Sequence, residues 1–299
     1  RGEGQPQHSD RRLSPPMRGA GSRGERQSYG IVGVDGFIYF KTGDAAGRQL
    51  NAKQINSHIS NASGADELLA LFAAHSASLN HIHAANLWNK LGKQRIERRH
   101  EGRLEQLVQR TLDLVSSCRA RELANVSHGV AKCGLQARVV HPLFVAVAEA
   151  AVRSGLAGFN TQALANTVWA YATADYYHQA LLADCSRVIS GSLARDPSIW
   201  SEEDRSQLHQ WQLWLSLERG ADAQQHFLPS PRRKLCRDAM VATIARPSGL
   251  QRSVAAALAA VRFGFEEEYD EPRTGYSLDL ALPSSRIAIE VDGPSHFLL

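Results

Sequence analysis

Three carboxylates close to the C-terminal end of the sequence have a spacing that could do chemistry. Asp279 lies in residues 276–282, and Glu290 and Asp292 lie in residues 286–292. Apolar side chains alternate with polar ones in both segments, and this period predicts two half-buried strands. If the intervening Pro-Ser-Ser sequence is a hairpin loop, Asp279 stands opposite Glu290, and Asp292 lies two residues further along the same face of the sheet.

Two interpretations of these acids remain open. Clustered carboxylate oxygens suit Mg²⁺, which bridges to a substrate phosphate. This hypothesis makes Asp279, Glu290 and Asp292 catalytic, with Asp279 and Glu290 as the metal ligands, and adds His296 as a candidate general base. The alternative is that the polar face of an antiparallel sheet is solvated, where acidic residues are ordinary, and that His296 is a loop residue.

Basic residues form a second kind of candidate site, since a path for RNA needs cations for phosphates and flat groups for bases. The candidate RNA-binding residues form two runs, one at Lys90, Lys93, Arg95, Arg98, Arg99 and Arg103, and one at Arg232, Arg233, Lys234 and Arg237. Trp88 and His100 are candidate stacking residues beside the first run. The alternative interpretation is that each run is a solvated charged face.

A repeated helical pattern is the element that would position the first basic run. Residues 83–93, 122–134 and 163–175 align without gaps, and their shared Ala-Asn pairs are 39 and 41 residues apart. A weaker fourth copy, residues 204–217, follows about 44 residues later. Another apolar helix is predicted before each copy, at residues 67–75, 104–117, 142–154 and 179–193. A period near forty with two helices per unit predicts an α-solenoid over residues 54–222.

The repeated asparagines are Asn86, Asn125 and Asn166. Asparagine is unfavourable in the middle of a helix, so these positions need a reason. They either bond to neighbouring helices as a structural ladder or face the concave surface and contact bases.

The remaining segments complete the predicted organisation. Residues 1–28 are rich in Arg, Gly and Pro and are predicted to be a disordered tail. Residues 29–53 are predicted to be a short irregular or strand segment, and residues 223–247 a basic linker. From residue 248 to 299 the patterns predict a helix with a capping box at its start, a strand, and then the hairpin.

Composition excludes some classes of protein. The 299 residues carry a net charge of +4, which is compatible with a polyanionic partner. Four cysteines lie far apart with no CxxC pair and are predicted to be buried free thiols in a reducing compartment. The sequence has no continuous apolar run of the length that spans a membrane, so no membrane partner is predicted.

The string YSLDLALPSSRIAIEVDGPSHF resembles the beginning of a RAP domain, through residues such as Asp279, Glu290, Asp292 and the following Gly-Pro-Ser-His-Phe. The chain ends inside this resemblance, which predicts a partial, C-terminally truncated RAP domain over residues 248–299. The segments ELANVSHGVAKCG and ALANTVWAYA resemble octotricopeptide-type repeats and the repeats of the FAST-kinase family.

The resemblance implies a mostly α-helical RNA-binding protein of organellar RNA metabolism. Its expected partners are single-stranded RNA and organellar ribonucleoprotein components, and its expected roles are RNA processing, mRNA stability or translation. The expected location is the mitochondrion, with the chloroplast as the alternative, and no cofactor is implied.

Two alternatives remain open. The helix–strand–strand–strand order is similar to the α/β core of restriction-endonuclease-like nucleases, which would need Mg²⁺. That family usually has Lys at its third catalytic position, where this chain has Asp292. The other alternative is a helical-repeat scaffold that binds proteins.

Overall fold

The computed structural model describes residues 29–32, 38–41, 50–242 and 247–292. The chain divides into two compact units, residues 1–49 and 50–299. In the first unit, β1 (Tyr29–Val32) pairs with β2 (Ile38–Lys41) in antiparallel orientation. Residues 1–28, predicted to be a disordered tail, lie outside the described residues.

The second unit is mostly helical, as predicted. Its helices are α1 (Ala52–Asn61), α2 (Ala65–His75), α3 (His81–Leu91), α4 (Glu101–Leu114), α5 (Ala120–Lys132), α6 (Ala137–Arg153), α7 (Thr161–Thr173), α8 (Gln179–Arg195), α9 (Glu202–Trp214), α10 (Ser230–Val241) and α11 (Gly249–Ala260). We refer to α1–α10 as the helical array and to residues 247–292 as the C-terminal module. Within the residues that the structure describes, no helix is both long and apolar enough to cross a lipid bilayer.

The helices of the array pack in two layers. In one layer α1, α3, α5, α7 and α9 each contact the next, and in the other α2, α4, α6 and α8 do the same. The four repeat copies lie on α3, α5, α7 and α9, each after one of the predicted preceding helices. One detail of the prediction was wrong: α9 begins 41 residues after α7, not about 44. Gln207 therefore takes the place of the repeated asparagine.

Apolar residues between the two layers form the core of the array. Leu91, Val130 and Tyr171 occupy the same place on successive repeat helices, five residues after each repeated asparagine, and all three are buried. Helices α3 and α5 approach closely because Gly129 has no side chain: a Cβ there would lie 2.3 Å from the backbone oxygen of Trp88. The four cysteines are free, as predicted; three of them are buried as predicted, and Cys118 is half-buried. Burial raises the pKa of each thiol to about 12.

The segment predicted as a basic linker contains helix α10, which packs against α9. Cys236 and Ala239 supply its buried face, and Lys234 pairs with Asp238 one turn later at 2.6 Å. Residues 230–241 are therefore part of the folded array. The amphipathic pattern of this short helix is hard to see among its charges, because only Cys236 and Ala239 are buried and Leu235 is partly buried.

The C-terminal module has the predicted order of elements. After α11 come β3 (Glu266–Asp270), β4 (Ser277–Leu282) and β5 (Ile287–Ile289), which form an antiparallel sheet in the order β3-β4-β5. Ala281 faces Ala288, which confirms the predicted hairpin register. The predicted capping box is present. The Ser248 hydroxyl accepts from the Gln251 backbone N–H at 3.0 Å, and the Gln251 side-chain oxygen accepts from the Ser248 backbone N–H at 3.2 Å. Strand β5 ends before Glu290 and is shorter than predicted.

The turn between β3 and β4 joins the module to the array. His209 of α9 contacts the Thr274 carbonyl oxygen through Nε2 at 2.6 Å, and Arg237 of α10 donates to the Pro272 carbonyl oxygen at 2.8 Å. Glu271 holds the turn in shape by accepting from the Thr274 backbone N–H and hydroxyl. The second basic run thus contributes a structural contact.

Candidate nucleic-acid interface

A row of amide side chains runs across the repeat helices at the position of the repeated asparagines. Asn86 donates to Asn56 of α1 at 2.9 Å, and Gln207 donates to Asn166 at 3.1 Å. These bonds form the structural ladder that was one of the two interpretations. Asn125 lies between them, half-buried, and its side chain makes no hydrogen bond with any residue that the structure describes. The amide row is therefore satisfied at its ends and open at its centre.

A row of aromatic side chains lies one turn further along the same helix face, since residues three apart on a helix are neighbours. His128 of α5 and Trp169 of α7 are half-buried, with ring centroids 5.0 Å apart and ring planes inclined by 49°. Trp169 donates its indole N–H to Gln210 of α9. That bond fixes the orientation of the indole ring.

Two lysines flank the imidazole. Lys93 and Lys132 are both exposed, and their charges act on His128. Burial is the largest cause that lowers the pKa of His128, followed by Lys132 and then Lys93, and together they bring it to about 4. His128 is therefore neutral at pH 7, and the ring pair lies in a positive electrostatic potential. We refer to Lys93, Asn125, His128, Lys132 and Trp169 as the aromatic–lysine face.

The first predicted basic run contributes one member to this face, Lys93. Arg95 and Arg98 are exposed, and Lys90 and Arg103 are half-buried. Arg99 pairs with Asp66 at 2.9 Å and with Glu97 at 3.0 Å. The members of this run therefore differ in exposure and in pairing.

The stacking candidates Trp88 and His100 were wrong, because the structure buries both rings. Trp88 is fully buried and donates its indole N–H to Thr111 at 2.9 Å. His100 is 4% exposed and contacts Asp66 through Nε2 at 3.2 Å. Trp88 is one residue away from the aromatic row, and a one-residue step on a helix turns a side chain by about 100°. Alignment of the repeats by column, with a search for the column where rings stand beside polar residues, would have found His128 and Trp169.

The second predicted basic run is largely engaged within the protein. Arg232 donates to the Ser190 hydroxyl of α8, and Arg237 donates to the turn at Pro272. Lys234 pairs with Asp238, and the guanidinium of Arg233 lies 5.5 Å from the centre of the Phe227 ring. These residues tie α10 to its neighbours.

The predicted acids form a row across the C-terminal sheet. The Val291 backbone N–H donates to Asp279 at 2.7 Å, which brings Glu290 close to Asp279 as the register requires. Partial burial is the largest cause that raises the pKa of Glu290, and the charges of Asp279, Asp292 and Glu268 add to it. Glu268 is a fourth member that sequence reasoning missed. It lies opposite Asp279, between the paired positions 267 and 269 of β3.

The acid row shows no preassembled set of metal ligands in the part of the chain that the structure describes. Among the residues that the structure describes, no group of three or more His, Cys, Asp or Glu side chains could hold a metal ion. Both carboxylate oxygens of Glu268 already accept hydrogen bonds, from Gln251 at 2.6 Å and from Ser277 at 3.1 Å. His296 lies outside the described residues.

No protein-family model, curated protein or solved structure matches the chain.

Proposed function

We propose that this chain is an α-solenoid that binds single-stranded RNA and carries the beginning of a RAP domain at its C-terminal end. In this proposal it acts in organellar RNA metabolism, in the mitochondrion or alternatively the chloroplast, and supports RNA processing, mRNA stability or translation with other ribonucleoprotein components. The observation that carries the proposal is the aromatic–lysine face. It combines half-exposed rings, cations and an unbonded amide on one face of adjacent helices.

The chemistry of the face suits an unpaired nucleotide. A base stacks on an aromatic ring with a gain of about 1–3 kcal/mol, and Trp169 and His128 offer two rings on adjacent helices. Lys93 and Lys132 would neutralise the phosphates on either side. Single strands fit better than duplex, because only unstacked bases expose a ring face.

Two further observations support the architecture that the proposal assumes. The two-layer packing and the near-constant helix spacing agree with a solenoid of helical hairpins. The order α11-β3-β4-β5 and the register of the hairpin agree with the segment that resembles a RAP domain.

Fluorescence anisotropy with a labelled, unstructured oligoribonucleotide tests the function. We expect Lys93→Gln with Lys132→Gln to weaken binding about tenfold. The slope of log affinity against log salt concentration should become shallower by about 0.7 for each phosphate that is no longer neutralised. The matched control is Arg153→Gln with Arg195→Gln, which removes two exposed charges from α6 and α8 in the other layer. Trp169→Leu should weaken binding by a further factor that does not depend on salt.

The outcome also separates the alternatives. If the double lysine variant and the control bind equally, the aromatic–lysine face is not the RNA site. If the wild-type chain binds no single-stranded RNA at low salt, the proposal fails, and a protein-binding scaffold becomes the better explanation. RNA cleavage that depends on Mg²⁺ and is lost in Glu290→Gln would favour the nuclease alternative.

A further inference from the structure

A groove of about 340 Å³ lies on the opposite layer of the array, between α8 and residues 225–229. Ser186, Arg187 and Ser190 of α8 line one side, and His226 and Phe227 line the other. The groove is separate from the aromatic–lysine face, which belongs to α5, α7 and the residues directly after α3. The groove is therefore a second candidate site.

The wall of the groove is held rigidly by buried polar contacts. The carbonyl oxygen of His226 accepts from the Ser186 hydroxyl at 3.1 Å and from Gln212 of α9 at 3.4 Å. The Leu228 backbone N–H donates to Gln212 at 2.8 Å. Ser186 and Gln212 are both buried. A wall fixed on both sides of residue 227 is preorganised for a ligand.

His226 carries a buried polar atom that needs a partner. The residue is 1% exposed, and its Nε2 contacts the Tyr177 hydroxyl at 2.9 Å. Its Nδ1 is buried and has no hydrogen-bond partner among the described residues. Burial lowers the pKa of His226, so the ring is neutral, and Nδ1 carries the hydrogen when Tyr177 donates to Nε2. An unpaired buried donor destabilises a protein, and a ligand that draws the ring towards the groove and accepts from Nδ1 would remove that cost.

Three guanidinium groups surround the groove. Arg187 lines it, Arg232 reaches Ser190, and Arg233 lies over the ring of Phe227. The acid in contact with them is Asp184, which pairs with Arg187 at 2.8 Å. Arginine clusters with a neutral donor beside them recognise phosphate oxygens. Arg187 is 68% exposed, so it can turn from Asp184 to a ligand.

We propose that this groove binds a phosphomonoester, with Arg187 and Arg232 on the phosphate oxygens and His226 Nδ1 as a neutral donor. The phosphate could belong to a free mononucleotide or to the 5′ end of an RNA, and both present the same dianionic group. The inference does not rest on RNA binding at the aromatic–lysine face.

Two measurements on the full chain test the groove. The first is thermal stabilisation and isothermal titration with adenosine 5′-monophosphate, with adenosine as the uncharged comparison. The second is anisotropy with one oligoribonucleotide that carries either a 5′-phosphate or a 5′-hydroxyl. We expect the phosphate to increase affinity about tenfold in at least one measurement. Preference in both assays identifies a general phosphomonoester site, and preference in the RNA assay alone identifies an RNA end.

Variants locate the effect. Arg187→Gln should remove the phosphate preference, while Arg195→Gln, a matched change of an exposed arginine on the same helix, should retain it. The double variant Lys93→Gln with Lys132→Gln should also retain it, although its overall RNA affinity falls. If the 5′-phosphate makes no difference in either assay, or if Arg187→Gln keeps the preference, the groove is not a phosphate site. Loss of RNA binding in the lysine variant with an unchanged mononucleotide affinity would leave this inference intact.

Discussion

The helical array and the C-terminal module both carry polar side chains in rows, and the two regions use them differently. In the array, the row of amides is paired at its ends and open at Asn125, beside half-exposed rings and cations. In the module, acids of the row already accept hydrogen bonds from neighbouring residues: Asp279 accepts from Val291, and Glu268 accepts from Gln251 and Ser277. In the stacked repeat helices one position of the polar row has no hydrogen-bond partner among the described residues. In the three-stranded sheet the polar side chains of the row bond to one another's neighbours and stabilise the module.

The two regions also differ in the size of their apolar cores. The array buries apolar residues from every helix, while the sheet buries little beyond Leu280 and Ala281. A large core can tolerate unpaired polar groups on its surface, and a small one depends on each contact. Substitutions in the array should therefore affect stability most where helices touch, and substitutions in the module where charges meet.

The largest effect is expected at the closest helix contact. Gly129→Ala places a Cβ against backbone atoms of Trp88, which no side-chain rotation can relieve, so α3 and α5 must separate. We expect a loss of about 2–4 kcal/mol in the free energy of unfolding, measured by urea denaturation. The control is Gly191→Ala in α8, where an added Cβ meets no atom within 4 Å. That change should stabilise by about 0.5–1 kcal/mol through helix propensity, and equal effects of the two variants would contradict the close packing.

A pair of asparagine variants separates the ladder from the open centre of the row. Asn166→Ala removes the partner of Gln207, whose Oε1 is already buried without a bond among the described residues, and should cost about 1–2 kcal/mol. Asn125→Ala removes no hydrogen bond of the described chain and should change stability by less than about 0.5 kcal/mol. Both variants gain the same helix propensity, so their difference measures the ladder.

The same two variants should exchange order in an RNA-binding assay. Asn125→Ala should weaken RNA affinity severalfold, while Asn166→Ala, assayed well below its unfolding midpoint, should bind with nearly unchanged affinity. If Asn125→Ala is as destabilising as Asn166→Ala and leaves RNA affinity unchanged, the amide row is structural throughout its length.

Much of the fold follows from local patterns in the sequence. The period of the apolar residues located helices α2–α9, and the alternation in residues 276–282 and 286–292 predicted both strands and their register. Local signals were sufficient there because capping, periodicity and hairpin pairing involve residues close in sequence. The Ser248 capping box is one such signal, confirmed by two hydrogen bonds.

The sites were harder to predict because they depend on which side of a helix faces outward. Trp88 and Trp169 both lie in repeat helices, yet one is fully buried and the other lies on the surface, and they differ by a single position in the aligned repeats. The basic runs could not be assigned to one face for a related reason, since adjacent residues of a helical turn, such as Arg98 and Arg99, point in different directions. Glu268 was missed because its place in the acid row depends on the pairing of β3 with β4.

The aromatic–lysine face should make stability depend on pH. The pKa of His128 is about 4 in the folded chain and near 6.5 in the unfolded chain, so the unfolded state binds more protons between these values. The contribution of this residue is therefore complete above pH 6.5 and is lost as the pH falls towards 4. Because the ring is partly solvated, we expect a loss of about 1 kcal/mol at about pH 5 relative to pH 7.

Urea midpoints of wild type and His128→Asn at both pH values measure this contribution as a difference. Lys132→Met should reduce it, because the lysine charge is the second cause of the lowered pKa. If wild type and His128→Asn lose the same stability between the two pH values, the imidazole is not held neutral by its surroundings.

The smallest effect is expected in the acid row, with the opposite sign. Partial burial and the charges of Asp279, Asp292 and Glu268 raise the pKa of Glu290 above its usual value, so the ionised form destabilises the fold at neutral pH and protonation relieves this as the pH falls. Glu290→Gln should therefore stabilise the chain by about 0.5 kcal/mol at pH 7 and by less at about pH 4. Addition of Mg²⁺ should not shift the unfolding midpoint of either form, since no group of three or more His, Cys, Asp or Glu side chains among the described residues is placed to hold a metal ion. A midpoint that rises with Mg²⁺ in wild type but not in Glu290→Gln would instead mean that these carboxylates rearrange around a metal. The acids of the module would then be available to a ligand, as Asn125 of the array is proposed to be, and the contrast between the two regions would no longer hold.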